Sequence, residues 1–223
     1  MAFASVETVG GPSCGTLLTT RLAEHGSAAH PYAASDSLLR GSSAPRDLAD
    51  LIHYLCVLHG RYPGLVDHAA TRVVEPEARA WLTSAAYAFA GERAYLARLA
   101  VAAGPVPSTP RAAGADSAVL GQRHAMETLA LSERRGCALG AAMALVLDWG
   151  AIRRCLDAAA ARLGVDAPAY PADAPDSAAP LADGYAATAS VQRALLFGAE
   201  QILVQHRGLW DLLEARQQAR GGG

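Results

Sequence analysis

The chain has 223 residues, 52% of them hydrophobic and 18% charged, which is too apolar for a disordered chain and long enough to bury one large core. Its 19 basic residues are all arginine and stand singly or in pairs such as Arg134-Arg135 and Arg153-Arg154; with 21 acidic residues and a net charge of -2, this argues against nucleic acid as a partner. The first 15 residues lack a positive region and are interrupted by Gly10, Gly11 and Pro12, and the longest apolar run, Cys137 to Leu147, is too short to span a bilayer, so the expected location is cytoplasmic, with no membrane partner.

In chain order, residues 1–15 read as a flexible leader. Helices are expected over Thr16 to Glu24, Arg46 to His59, Gly64 to Arg72 and Glu77 to Ala103, with Pro45 and Pro76 at first-turn positions and Gly60 and Gly104 just past the ends. Further helices are expected from Ala115 to Glu133, from Arg135 to Leu163 and from Tyr185 to Arg220, with Gly136 as the break between the first two. Loops are expected at Gly26 to Pro45 and Gly104 to Gly114. The stretch Gly164 to Gly184, carrying Pro168, Pro171, Pro175 and Pro180, reads as a long loop suited to a lid. Runs of alternating β-branched residues are absent, as is any fixed-period repeat, so the fold class is all-α: one helical-bundle domain over 16–220 with about five to seven helices, four of them long or medium, and a 221–223 tail. Gly136 and Gly140, followed by Ala141 and Ala144, prepare one face of its helix for close approach by a neighbour. The cysteines at 14, 56, 137 and 155 form no CxxC pair; three read as small core residues and Cys14 as the exposed one.

Polar residues inside the apolar stripes carry the functional signal. With about 100° per residue, His59 falls between Leu48 and Ile52, Glu92 falls among Trp81, Leu82, Ala85, Phe89, Leu96 and Leu99, and His206 sits within the stripe of Val191, Leu195, Ile202, Leu209, Trp210 and Leu213. His53 shares the polar face with Arg46 and Asp50. The helix carrying Gln122, His124 and Glu127 has two apolar faces: Gln122 lies with Val119, Met126 and Leu129, whereas His124 and Glu127 lie with Leu120 and Leu131. Asp148 shares a line with Cys137, Ala141, Ile152 and Cys155.

An inward carboxylate must be paired, hydrogen-bonded, protonated or bound to a metal. Two readings follow. In one, Glu92, His59, His124, Glu127, His206, Gln122 and Asp148 converge on a metal or small ligand; that donor set suits non-haem iron, manganese or zinc, with oxidoreductase chemistry if the metal is iron. In the other, the buried polar groups satisfy one another and the bundle is a non-catalytic interaction or regulatory scaffold, with Tyr87, Trp149 and Trp210 as candidate surface aromatics. Self-association fits both. No Glu-x-x-His element, CxxCH, GxGxxG, Walker A or GxSxG motif is present.

The stretches LIHYLCVLHGRYPG at Leu51 to Gly64, GERAYLARLAVAAGPVPSTP at Gly91 to Pro110 and GQRHAMETLALSERRGCALGAAMALVLDW at Gly121 to Trp149 resemble an uncharacterised family of bacterial helical proteins. The resemblance covers about two thirds of the chain, leaving out the leader and the last helix. It implies a helical class and no chemistry, and it draws attention to Glu92, Gln122 and His124.

Overall fold

A computed structural model describes residues 11–108, 112–170 and 174–221. These residues form nine α-helices and no strand: α1 Cys14–His25, α2 Asp36–Leu39, α3 Ala44–His59, α4 Leu65–Arg72, α5 Pro76–Ala103, α6 Ala112–Ala130, α7 Cys137–Leu163, α8 Ala174–Tyr185 and α9 Ala189–Gly221. Two 3₁₀ turns, Ser27–Ala29 and Pro31–Ala34, lie between α1 and α2. The all-α class is as expected, with more helices than the five to seven expected. Both additions fall in stretches read as loops: α2 in Gly26 to Pro45, and α8 in the Pro-rich stretch. Of the expected leader, residues 1–10 lie outside the described residues, as do residues 109–111, 171–173 and the last two of the tail.

α8 is the larger correction. Proline density argues for a loop, yet Pro180 sits inside this helix. α8 packs on α1: Asp183 accepts the Gly15 backbone N–H at 2.6 Å and the Ser13 hydroxyl at 3.1 Å, satisfying a donor that the start of α1 cannot satisfy itself. Tertiary contact thus offsets a weak intrinsic preference. The same contact buries Cys14, which the sequence placed in an exposed leader, and burial, followed by the charge of Asp183, raises its thiol pKa.

α7 is the central element. It is buried almost all round, and its main partner is α9. The small-residue face expected at Gly136 to Ala144 is where the two meet: a Cβ on Gly140 would collide with the Leu195 carbonyl, and one on Gly198 with the Cys137 carbonyl. Backbone meets backbone there, and only glycine on both helices permits it. The buried hydrophobic residues, from Cys14 on α1 to Leu213 on α9, form one contiguous cluster. No described helix is long and apolar enough to cross a membrane.

Candidate functional site

Three of the seven candidate residues come together in the core. His206 at mid-α9, fully buried, makes a 2.6 Å contact from Nδ1 to Asp148 Oδ2, and its Nε2 lies 3.2 Å from Nε2 of His59 at the end of α3. Asp148 also accepts the Ser27 backbone N–H at 2.6 Å and the Ser27 hydroxyl at 2.5 Å, while Trp210 Nε1 donates to that hydroxyl oxygen at 2.8 Å. The result is an unbroken buried chain: Trp210, Ser27, Asp148, His206, His59.

The local sequence explains how it forms. His206 and Trp210 are one turn apart on α9 and so face the same way. α1 ends at His25, and the following turn folds inward through Gly26, where a Cβ would meet Asp148 Oδ1 at 2.8 Å. This brings the Ser27 N–H and hydroxyl onto the carboxylate. Ser27 was invisible to a helical-wheel argument because it lies outside the long helices. His59, on the inward face as its place between Leu48 and Ile52 predicts, is tied to His206.

Burial alone would raise the Asp148 pKa, but the hydrogen bond and charge of His206 and the two Ser27 bonds outweigh it and hold the carboxyl below its ordinary range. Burial, and then the charge of His206, push the His59 imidazole well below its ordinary value. His59 is therefore neutral at neutral pH and Asp148 ionised. To donate to Asp148, His206 carries a proton on Nδ1, and a single proton bridges the two Nε2 atoms, held by one ring or the other.

His59, 7% exposed, is the one member of this chain that lines a cleft, of about 30 Å³, built from the end of α3, the 60–64 turn, α4 and α6. Arg61, His68, Arg123, Met126 and Glu127 line it too. His59 spends Nε2 on His206, and no hydrogen bond to its Nδ1 is found among the described residues.

The other candidates go elsewhere. Glu92 is buried as expected but belongs to a separate network: Oε2 accepts from Trp149 Nε1 at 2.8 Å and Oε1 from Arg153 Nη1 at 2.6 Å. Arg153 also donates to Asp157 at 2.7 Å and to the Pro168 carbonyl at 2.5 Å. Burial raises the Glu92 pKa, with Trp149 and Arg153 pulling it back. Trp149 stands between the networks, its ring edge-on to His59 at 5.3 Å. His124 and Glu127 are exposed because α6 turns its Val119, Met126 and Leu129 face to the core and leaves Leu120 and Leu131 outside. Gln122, half-buried, donates to the Gln205 carbonyl at 3.1 Å and ties α6 to α9 beside His206. The seven residues therefore do not share one centre, and among the described residues no group of three or more His, Cys, Asp or Glu side chains is placed to hold a metal ion.

A third buried network was missed. Asp50, assigned to the polar face of α3, is fully buried and accepts from Arg216 at 2.9 Å and 3.0 Å and from Arg220 at 2.6 Å; Arg220 also pairs with buried Asp47. α9 extends over that face, and nothing in the α3 periodicity reveals it. Of the three aromatics considered for a surface, Trp149 and Trp210 are in the core, and Tyr87, 86% exposed, lies on α5.

The class defined by fold and site is thus an all-α bundle with a carboxylate–imidazole–imidazole chain running from its core to a small cleft. The chain belongs to the Family of unknown function (DUF6975), whose model matches residues 22–221. The match runs through α9, so His206, which the resemblance read from the sequence left outside, lies within the family region together with Ser27, His59 and Asp148. Among the curated proteins and the solved structures compared, none matches the chain.

Proposed function

We propose that this protein binds a small molecule at the cleft over His59 and uses the His59 imidazole there as a proton acceptor, with His206 and Asp148 behind it. The observation that carries the reading is the continuous buried chain from Trp210 to His59, whose last member alone lines a cleft. A general base must be unprotonated at working pH and held in a fixed tautomer. Burial keeps His59 neutral, and the His206 contact orients its ring. With the bridging proton on Nε2 of His59 and His206 neutral, a proton taken up at Nδ1 of His59 is matched by release of the Nε2 proton to His206, whose resulting positive charge faces the Asp148 carboxylate at 2.6 Å. The carboxylate thus stabilises the charge without itself being protonated, the logic of an acid–histidine pair behind a reacting group.

The test is ligand-observed NMR with a library of small acids, amides and esters, on the wild type and His59→Gln. Binders with a proton to donate that weaken about tenfold in the variant, roughly one lost hydrogen bond, support the reading. If every such binder is indifferent to the substitution, or the library yields none, the chain of residues returns to a structural role.

A further inference from the structure

The cleft itself carries a second signal. Nε of Arg123 is buried and has no hydrogen-bond partner. Buried donors in folded proteins are almost always satisfied, and an orphan marks the place of a missing partner. The Glu127 carboxylate, one turn on, stands at 3.5 Å without closing a hydrogen bond; the same oxygen lies 3.8 Å from Arg61 Nη1. Glu127 is half exposed and makes no shorter contact with either arginine. The lining holds two guanidinium groups and the His68 imidazole against this single carboxylate, while Asp67, nearby on α4, is occupied by Arg93 at 2.9 Å and by the Gly64 N–H at 2.8 Å.

We infer that the ligand of this cleft is a small carboxylate, seated on Arg123 Nε in place of the loosely held Glu127 side chain. This deepens the reading given above and rests on its choice of cleft. The side chain now facing Arg123 Nε is itself a carboxylate, so a carboxylate is the group whose charge and planar shape fit the place it would vacate. The guanidinium edge matches the planar geometry of a carboxylate. Leu58, Met126 and Ala130 supply an apolar wall for a short hydrocarbon part. His59 stands in the same lining, so the proton acceptor and the anion seat address one ligand.

The experiment follows the Arg123 Nε–Hε signal in ¹⁵N–¹H spectra while acetate, and separately inorganic phosphate and chloride, are added at constant ionic strength. Acetate should shift it saturably. Glu127→Gln should tighten acetate binding about two- to fivefold, the worth of one partly exposed competing charge, and Arg123→Gln, checked for its helical circular dichroism, should abolish acetate binding. If Arg123→Gln fails to fold, the Glu127→Gln result decides. A linear response, an equal response to chloride or phosphate, or an affinity unmoved by Glu127→Gln overturns the inference. His59→Gln should leave acetate binding within about twofold, because acetate at neutral pH offers His59 no proton and the substitution changes no charge. Ligands that depend on His59 without an acetate response would overturn the carboxylate seat alone; an acetate response without such ligands would overturn the proton-acceptor role alone.

Discussion

Asp148 and Trp149 are neighbours in sequence, and the two networks they enter differ in one respect that matters. Around Glu92, both carboxylate oxygens are occupied, Arg153 is shared among Glu92, Asp157 and the Pro168 carbonyl, and Tyr95 donates to Asp157 at 2.9 Å. That network closes on itself. Around Asp148, the hydrogen bonds converge on the carboxylate from Ser27 and His206, and the last member of the chain is a ring with a nitrogen to spare, beside a cleft containing an orphan donor. Inward polarity, by which both were found in the sequence, does not separate them; whether the hydrogen-bond count closes does.

The closed network should break hardest. Arg153→Met leaves the buried Glu92 carboxylate opposite no cation and should cost about 3–5 kcal/mol, read as a lowered urea midpoint. The double variant Glu92→Met with Arg153→Met should recover much of that loss, because no uncompensated charge remains. A double variant as unstable as the single one would mean that shape, not charge, sets the cost.

In the open network, Asp148→Asn should cost about 1–3 kcal/mol by leaving the His206 and Ser27 donors competing for one carbonyl oxygen. Urea unfolding of the single variant checks this. His59→Gln should cost about 1 kcal/mol or less, since one hydrogen bond is at stake. The asymmetry between the ends of the relay is the point: a loss at His59 as large as that at Asp148 would mark His59 as structural.

The pH dependence sharpens the same contrast. The folded-state pKa of His59 lies well below its ordinary 6.5, so below that pH the unfolded chain binds a proton that the folded one refuses. Stability should therefore fall as pH drops below about 6.5, by at most about 1.4 kcal/mol per pH unit for this one group, and flatten once the folded-state value is passed. Asp148 acts in the same sense at lower pH: its folded value lies below 3.8, so its contribution is complete above that pH and is lost in more acid solution. His59→Gln should reduce the slope between about pH 6.5 and about pH 5; an unchanged slope would show that other groups carry it. The smallest effect is expected on the solvent face of α5, where Tyr87 is exposed and Tyr87→Ser should change stability by less than about 0.5 kcal/mol.

The long helices were legible because each repeats its apolar residues with helical period: the stripes of α3 and α9 are buried as the wheel places them, and of the α5 stripe only Trp81 is half-exposed. Burial of Glu92, His206, His59 and Asp148 followed from the same periodicity. Periodicity failed where a segment depends on a distant partner. α8 is helical because α1 receives it, and Asp50 is buried because the end of α9 covers it. For α6, two apolar faces competed, and the contact with α9 through Gln122 accompanied the choice that left His124 and Glu127 in solvent.

By itself, then, the amino-acid sequence determined the all-α class, the helices with strong stripes, the glycine-lined approach on α7, and which polar side chains turn inward. It could not determine which of them meet. A side chain's direction on its own helix is set by residues within a turn or two, whereas the distance from Asp148 to His206, or from Glu92 to Arg153, depends on how α7 crosses α9 and α5. The tertiary structure decided those crossings, by backbone contact at Gly140 and Gly198 and by the packing of Trp149 and Trp210, and with them the division of one expected centre into a closed ion pair and an open relay.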